Sequence, residues 1–238
     1  ILDDLPNVGT VVVPIGGGGL AAGVALALKA SNPRIRVVGV QAKGAAAMVA
    51  SLRAGTRVAV DKPQTIAEGI RVGNVGERTF EIVRALLDEC VEVDEEAIYE
   101  AIVQTMEKSK VVCEAAGVVG VAALNSGVVR ASGVTCCVLS GGNIDLNVLA
   151  RLIEHGLSSA GRYHLARLRL PDAPGQLGRA IALIAETRGN IVDVQHYRAG
   201  WKVPVGFVDV EILVETRHAK HGAELDLVLR AHGFDVHA

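Results

Sequence analysis

The sequence predicts an α/β protein in two parts: a parallel sheet flanked by helices over residues 1–156, and a ferredoxin-like β-α-β-β-α-β unit over residues 162–238, with a linker at 157–161. Three observations predict it. Half of the 238 residues are apolar and only 3% are aromatic, an Ala/Val/Leu/Ile-rich balance able to bury a sizeable core. Uncharged, β-branched runs at 8–14 and 134–139 each pass through a glycine-rich turn into a helix, the pattern of central strands covered on both faces. From residue 163 the apolar positions alternate instead, with Ala166, Leu168 and Leu170 on one side and Arg167 and Arg169 on the other.

Taken in order, the strand 8–14 leads through Gly16, Gly17, Gly18 and Gly19 into an Ala/Leu helix, Leu20 to Lys29, which stops before Asn32-Pro33. Arg34 to Gln41 completes a β-turn-α-β unit. Gly44 to Leu52 reads as a short helix closed by Gly55. Residues 60–76, with Pro63, Gly69, Gly73 and Gly76, form an irregular crossing segment, and loops of that length inside a compact domain are commonly functional. Glu77 to Asp88 is amphipathic through Phe80, Val83, Leu86 and Leu87. After a short strand, Cys90 to Val93, Asp94 caps a helix that repeats Ile98, Ile102 and Met106. Glu114 opens an almost wholly apolar helix to Leu124, where its carboxylate serves either the helix dipole or a site. The strand Val134 to Leu139 ends in Ser140-Gly141-Gly142-Asn143, and a helix starts near Asp145. Gly156 to Gly161 marks the composition shift of the linker.

The second part begins with the strand 163–170. Asp172-Ala173-Pro174-Gly175 then starts a helix with Leu177, Ile181 and Ile184 on one stripe. Strands Asn190 to Tyr197 and Phe207 to Glu215, a helix through Leu225, Val228 and Leu229, and a last strand, Phe234 to Val236, complete the unit.

The glycine run carries the first functional reading. Each glycine costs backbone entropy and packs nothing, so a row of four points to close approach of backbone N–H groups to an anion at a helix N-terminus. A tight turn with no ligand is the alternative. A dinucleotide site is disfavoured because no register across Gly16 to Gly23 supplies G-x-G-x-x-G, and Gln41 stands where a ribose-binding acid belongs. No Gly-Lys-Ser/Thr follows, so a Walker loop fails as well. A cofactor monophosphate remains. Ser140, at the end of another central strand, is its natural partner, because ligands of open α/β sheets lie beyond the strands' carboxyl ends.

Other classes are excluded on composition. With 24 basic and 26 acidic residues, net charge −2, no footprint for nucleic acid or an anionic membrane exists. Residues 9–28 carry no charge, but Pro14 and the glycines would break a spanning helix. Asp3 and Asp4 stand where a signal peptide needs basic residues. Cys90, Cys113, Cys136 and Cys137 match no zinc or redox spacing and read as core residues of a reducing, cytoplasmic setting. The first residue is Ile1 in place of Met, which fits a processed chain or a piece of a longer one.

Residues 14–20 (PIGGGGL), 39–48 (GVQAKGAAAM), 65–70 (TIAEGI) and 139–145 (LSGGNID) resemble the threonine dehydratase (threonine ammonia-lyase) family, pyridoxal-phosphate enzymes of fold type II. Residues 162–238 resemble an ACT domain, a small-molecule regulatory module. The resemblance implies that Gly16, Gly17, Gly18, Gly19 and Leu20 surround the phosphate of pyridoxal 5'-phosphate. It places Gly69 near the cofactor ring and Ser140 at the pyridine nitrogen, where a neutral hydroxyl tunes the electron sink. It implies a lyase that converts threonine or serine to a 2-oxo acid and ammonia, a role in amino-acid metabolism such as isoleucine biosynthesis, and a homo-oligomer. In the second part it implies an amino-acid effector held by Asp172, Gly175, Gln176, Leu177, Asn190 and Ile191, commonly across a paired domain.

Two departures qualify the resemblance. The family's Schiff-base lysine lies in an N-terminal Ser-x-Lys motif that is absent here, and Lys29, Lys43, Lys62, Lys108, Lys110, Lys202 and Lys220 fit no such context. No catalytic residue is therefore assigned in this chain, which is expected to be inactive alone and to lack the first half of the catalytic domain. At the positions where relatives hold a divalent metal with carboxylates stand Gln41 and Ala47, so no metal is expected. A non-catalytic amino-acid-sensing or dimerisation protein is the competing reading.

Overall fold

Val8–Pro14 forms a strand (β1) because its valines are β-branched and find apolar partners on both sides. Val11 and Val13 face one cluster, with Ala21, Ala25, Leu28, Phe80 and Val83. Val12 faces the other, with Ile98, Ile102, Val118 and Val119. Val11, Val12 and Val13 are fully buried, and each contributes roughly 1.5–3 kcal/mol of apolar burial. The computed structural model describes residues 1–142, 144–198 and 203–237, and falls into two compact units, Ile1–Gly156 and Leu157–Ala238.

In the first unit β1 lies between β2 (Arg36–Ala42) and β4 (Val134–Cys137), with β3 (Glu89–Val93) beyond β2, all parallel. The helices are α1 (Gly19–Ser31), α2 (Ala47–Ala54), α3 (Glu77–Leu86), α4 (Glu95–Gln104), α5 (Val119–Asn125) and α6 (Leu146–Ser159). Asp94 caps α4 by accepting the Ala97 N–H at 3.0 Å. A π-helical turn, Thr105–Ser109, extends α4, and a 3-10 turn, Ala115–Val118, precedes α5. At the edge of the sheet away from the glycines, Asp88 accepts from Val37 N and Lys29 Nζ, each at 2.7 Å. Those bonds outweigh its partial burial and hold its carboxyl below the ordinary aspartate range.

Several boundaries differ from the sequence reading. β2 starts at Arg36, not residue 34, and β4 stops at Cys137, short of Leu139. The expected linker at 157–161 is helical as far as Ser159. The glycine read there as a breaker is a packing glycine: a methyl group at Gly156 would stand 2.7 Å from Val103 Cγ2 and 2.8 Å from Tyr99 O, so its role is close approach of α6 to α4.

The second unit runs β5 (Tyr163–Pro171), α7 (Gln176–Glu186), β6 (Asn190–Tyr197), β7 (Phe207–Glu215), α8 (Ala219–Ala231) and β8 (Asp235–His237). Its sheet is antiparallel in the order β6-β7-β5-β8. Ala166, Leu168, Leu170, Val208, Val210, Ile212 and Val214 form the core with Ile184, Leu225 and Leu229. On the outer face Arg169 Nε bonds Asp209 Oδ1 at 2.8 Å and Arg167 Nε bonds Glu211 Oε1 at 3.1 Å.

Among the described residues no helix is long and apolar enough to cross a membrane. The uncharged 9–28 stretch is a strand, a turn and a helix. All four cysteines are free. Burial, helped by nearby Glu92, pushes Cys90 up to about 12, and burial pushes Cys137 up to about 12, so both stay protonated thiols of the core.

Candidate functional site

β1 delivers the glycines at the sheet's carboxyl edge. Ile15 N–H donates to Val40 O at 2.8 Å, and the fully buried Gln41 braces the same turn. The Gln41 amide donates to Ile15 O at 3.2 Å and Ala45 O at 3.3 Å, while its oxygen accepts from Met48 N at 2.8 Å and Val49 N at 3.0 Å. Gln41 is thus a buried brace and the amino-terminal cap of α2. An acid there could not donate to the two carbonyls.

Gly18 is the N-cap of α1, with φ +97, a region open to glycine; no side chain caps the helix and its first turn holds no acid. The first N–H groups of a helix have no intrahelical acceptor, so the positive end of α1 is left for an anion. A methyl group at Gly17 would meet nothing within 4 Å, whereas one at Gly18 would stand 2.8 Å from Met48 Cε. The turn therefore turns one side to open space and packs the other. Thr79, on α3, fixes it by donating to Gly17 O at 2.7 Å. No local sequence signal marks Thr79, since the contact spans 62 residues.

Three other segments converge on this edge. A methyl group at Gly16 would come within 3.2 Å of Ile70 Cα, which places the 65–70 loop against the glycine turn. One at Gly69 would stand 2.8 Å from Glu114 Oε1 and 3.0 Å from Ala116 Cβ. Gly141 also abuts the Glu114 carboxylate, and Gly117 abuts the carbonyl of the half-buried Ser140. Because β4 neighbours β1, with Val138 N donating to Val12 O at 2.9 Å, Ser140 and Gly16 leave the sheet at the same edge. A cavity of about 370 Å³ opens beside Gly69, Glu114, Ala116, Ile144, Asp145 and Val148. Glu114 and Gly141 belong to this convergence although neither stood in the predicted site. The signal for Glu114 was a lone carboxylate heading an apolar buried segment. Asn143 lies outside the described residues.

The described lysines lie elsewhere. Lys29 pairs with Asp88 at the opposite edge, Lys43 lines a different cavity with Glu92 and Asp94, Lys62 is exposed in the loop before Pro63, Lys108 bonds Gln104 at the end of α4, Lys110 bonds the carbonyl of Glu107, and Lys220 pairs with Glu224. None of the described lysines lines the 370 Å³ cavity. Lys202 lies outside the described residues.

In the second unit the structure does not bring the six predicted regulatory residues together. Asp172, Gly175, Gln176 and Leu177 stand where β5 ends and β7 begins, and Asp172 pairs with Arg198 at 3.2 Å. Asn190 and Ile191 begin β6 at the other end of the sheet, where Asn190 bonds Glu215 at 3.3 Å. At ~3.3 Å per strand residue the two groups are roughly 25 Å apart. A cavity of about 700 Å³ on the outer sheet face, lined by Arg167, Arg169, Tyr197, Asp209, Glu211 and His237, contains none of them.

An uncapped helix N-terminus, a glycine turn open on one side and a hydroxyl just beyond the neighbouring strand suit a phosphate monoester that carries a ring. A family model, pyridoxal-phosphate dependent enzyme, matches residues 1–141, and the chain belongs to that family. It is 44% identical over 237 residues to an L-threonine ammonia-lyase of Thermotoga maritima, covering 99% of this chain and 59% of that protein. A catabolic L-threonine dehydratase of Staphylococcus aureus is 42% identical over 164 residues, 67% of this chain and 47% of that protein. Among solved structures, the processed form of threonine deaminase isoform 2 from Solanum lycopersicum superposes with a TM-score of 0.60 at 32% identity, covering 65% of this chain and 46% of that one. The chain therefore spans 59% or less of the length of each of these proteins.

Proposed function

We propose that this chain carries the phosphate-holding and ring-holding part of a pyridoxal-phosphate dependent threonine or serine ammonia-lyase, joined to an amino-acid-sensing ACT domain. The observation that carries the reading is the uncapped start of α1 on a glycine turn at the sheet edge where Ser140 also emerges. Gly16 to Gly19 and Leu20 would hold the phosphate with backbone N–H groups, against the positive end of α1. Ser140 would orient the pyridine nitrogen with a neutral hydroxyl, and Gly69 and Ala116 would flank the ring. When bound, pyridoxal phosphate supplies the sink for electrons released at the α-carbon of the amino acid. Overall the substrate loses its α-proton and β-hydroxyl, and hydrolysis yields a 2-oxo acid and ammonia.

The lysine this chemistry needs is taken to lie outside these 238 residues, because they hold no Ser-x-Lys motif and none of the described lysines lines the cavity beside Gly69. That same observation favours a second reading, a protein that binds the cofactor or an amino acid and does not turn substrate over. In the second unit, Asp172 to Leu177 of one copy and Asn190 and Ile191 of another would frame the effector, since they sit at opposite ends of one sheet. This makes a homo-oligomer part of the proposal. Four free cysteines agree with a reducing cytoplasm.

Titration of the 238-residue chain with pyridoxal 5'-phosphate, followed by absorbance and fluorescence, tests the reading. Saturable binding competed by inorganic phosphate, and about tenfold weaker for pyridoxal without its phosphate, is expected. No saturable binding overturns it. Ser140→Ala should keep the phosphate-dependent affinity within about threefold while altering the absorbance of the bound ring. Release of 2-oxo acid from threonine or serine by this chain alone would overturn the placement of the lysine elsewhere.

A further inference from the structure

Three acids head α4, and they do three different things. Asp94 caps the helix, Glu96 is exposed to solvent, and Glu95 turns inward. Its Oε2 accepts the backbone N–H of Ile66 at 2.9 Å, across 29 residues of sequence. Its other oxygen, Oε1, is buried, with no hydrogen-bond partner among the described residues. An acid that served only the helix dipole would stay in water, as Glu96 does, because burying a carboxylate oxygen without a partner is unfavourable. The inward turn therefore needs the Ile66 contact to offset it.

Ile66 opens the turn that carries Gly69. Thr65 Oγ1 accepts from Ala67 N at 3.0 Å, Glu68 N donates to Ile66 O at 2.9 Å, and Ile70 N donates to Ala67 O at 3.0 Å. The same turn touches the glycine cradle through Ile70 and the Glu114 carboxylate through Gly69. We infer that Glu95 is a positioning residue: by holding Ile66 N–H it fixes the turn that sets Gly69 between the phosphate cradle and Glu114. The inference rests on the cofactor reading proposed above, and it assigns to the site a residue that does not touch it.

Three variants separate reach from charge. Glu95→Ala removes the acceptor, Glu95→Asp keeps the charge and its place in the first turn of α4 but shortens the reach by a methylene, and Glu95→Gln keeps the acceptor without the charge. Amide hydrogen exchange at Ile66, read without cofactor, should accelerate by about tenfold or more in Glu95→Ala and Glu95→Asp and stay within about threefold in Glu95→Gln. Affinity for pyridoxal 5'-phosphate should fall by about tenfold in the first two and be retained in the third. Unchanged exchange in Glu95→Ala overturns the clamp. Faster exchange with unchanged affinity overturns its positioning role. If the parent chain binds no pyridoxal 5'-phosphate, the cofactor reading fails, and the exchange data still decide whether the clamp exists. Glu95→Asp retains the dipole interaction and keeps the test valid if Glu95→Ala does not fold.

Discussion

Two helices, α1 in the first unit and α7 in the second, start in the same way. Each follows a glycine at positive φ, Gly18 at +97 and Gly175 at +88, and neither has a side-chain cap or an acid in its first turn. Both therefore present unpaired N–H groups and a positive end. What surrounds them differs. At α1 the 65–70 loop, Glu114 and Ser140 arrive at the same edge, while at α7 the turn brings Asp172, itself paired with Arg198, and the predicted partner Asn190 lies at the far end of the sheet. The difference follows from strand direction. A parallel sheet delivers every strand's carboxyl end to one edge, so a helix start there acquires neighbours from several segments. An antiparallel sheet divides its strand ends between two edges, so the effector site proposed for the second unit would draw on a second copy.

The largest effect is expected at Gly18. Alanine there must adopt a left-handed backbone and place its methyl 2.8 Å from Met48 Cε and 3.0 Å from Thr79 Cβ. The backbone term is about 1–2 kcal/mol and overpacking adds about 1–3 kcal/mol. Gly18→Ala should lower the melting temperature of the chain by several degrees and abolish cofactor binding. Differential scanning calorimetry with a pyridoxal 5'-phosphate titration reads both, and an unshifted melt would mean that the turn is not built as described.

The contrast between the units also explains what the sequence could and could not reveal. The elements of both sheets follow from local pattern: β-branched runs for β1 and β2, strict alternation for β5 and β7, Asp94 as the cap of α4. Gly16 to Gly19 and Ser140 were legible because the glycines and the polar strand-end turn stand out from apolar surroundings. Glu114 and Gly141 were harder, because what marks them is mutual proximity. Thr79 and Glu95 were not legible at all, since each acts on backbone groups of a segment distant in sequence, and a hydroxyl or acid in the first turn of a helix has an ordinary local explanation. Gly156 misled for a related reason: a glycine that permits helix packing and a glycine that ends a helix look alike in one dimension.

Gly17 sharpens the comparison without disturbing the fold. Its alanine methyl would meet nothing within 4 Å, so Gly17→Ala should leave the melting temperature unchanged while it intrudes on the space proposed for the phosphate. A loss of about tenfold in affinity for pyridoxal 5'-phosphate is expected, with pyridoxal less affected. Unaltered affinity would move the anion away from the open side of the turn.

Gly175 carries the smallest expected effect and the most direct test of the second helix start. Its surroundings are as open as those of Gly17, but its φ of +88 is not, so Gly175→Ala should cost about 1 kcal/mol from backbone conformation alone. Calorimetric titration of the parent chain with isoleucine, valine, threonine and serine should give heat with one of them, and the variant should lose it while still binding pyridoxal 5'-phosphate. Because the two halves of the proposed effector site lie at opposite ends of one sheet, that heat should also fall as dilution separates the copies. Heat that persists in the dilute, monomeric chain would place the effector within a single copy, away from Asn190, and would remove the distinction between parallel and antiparallel strand ends.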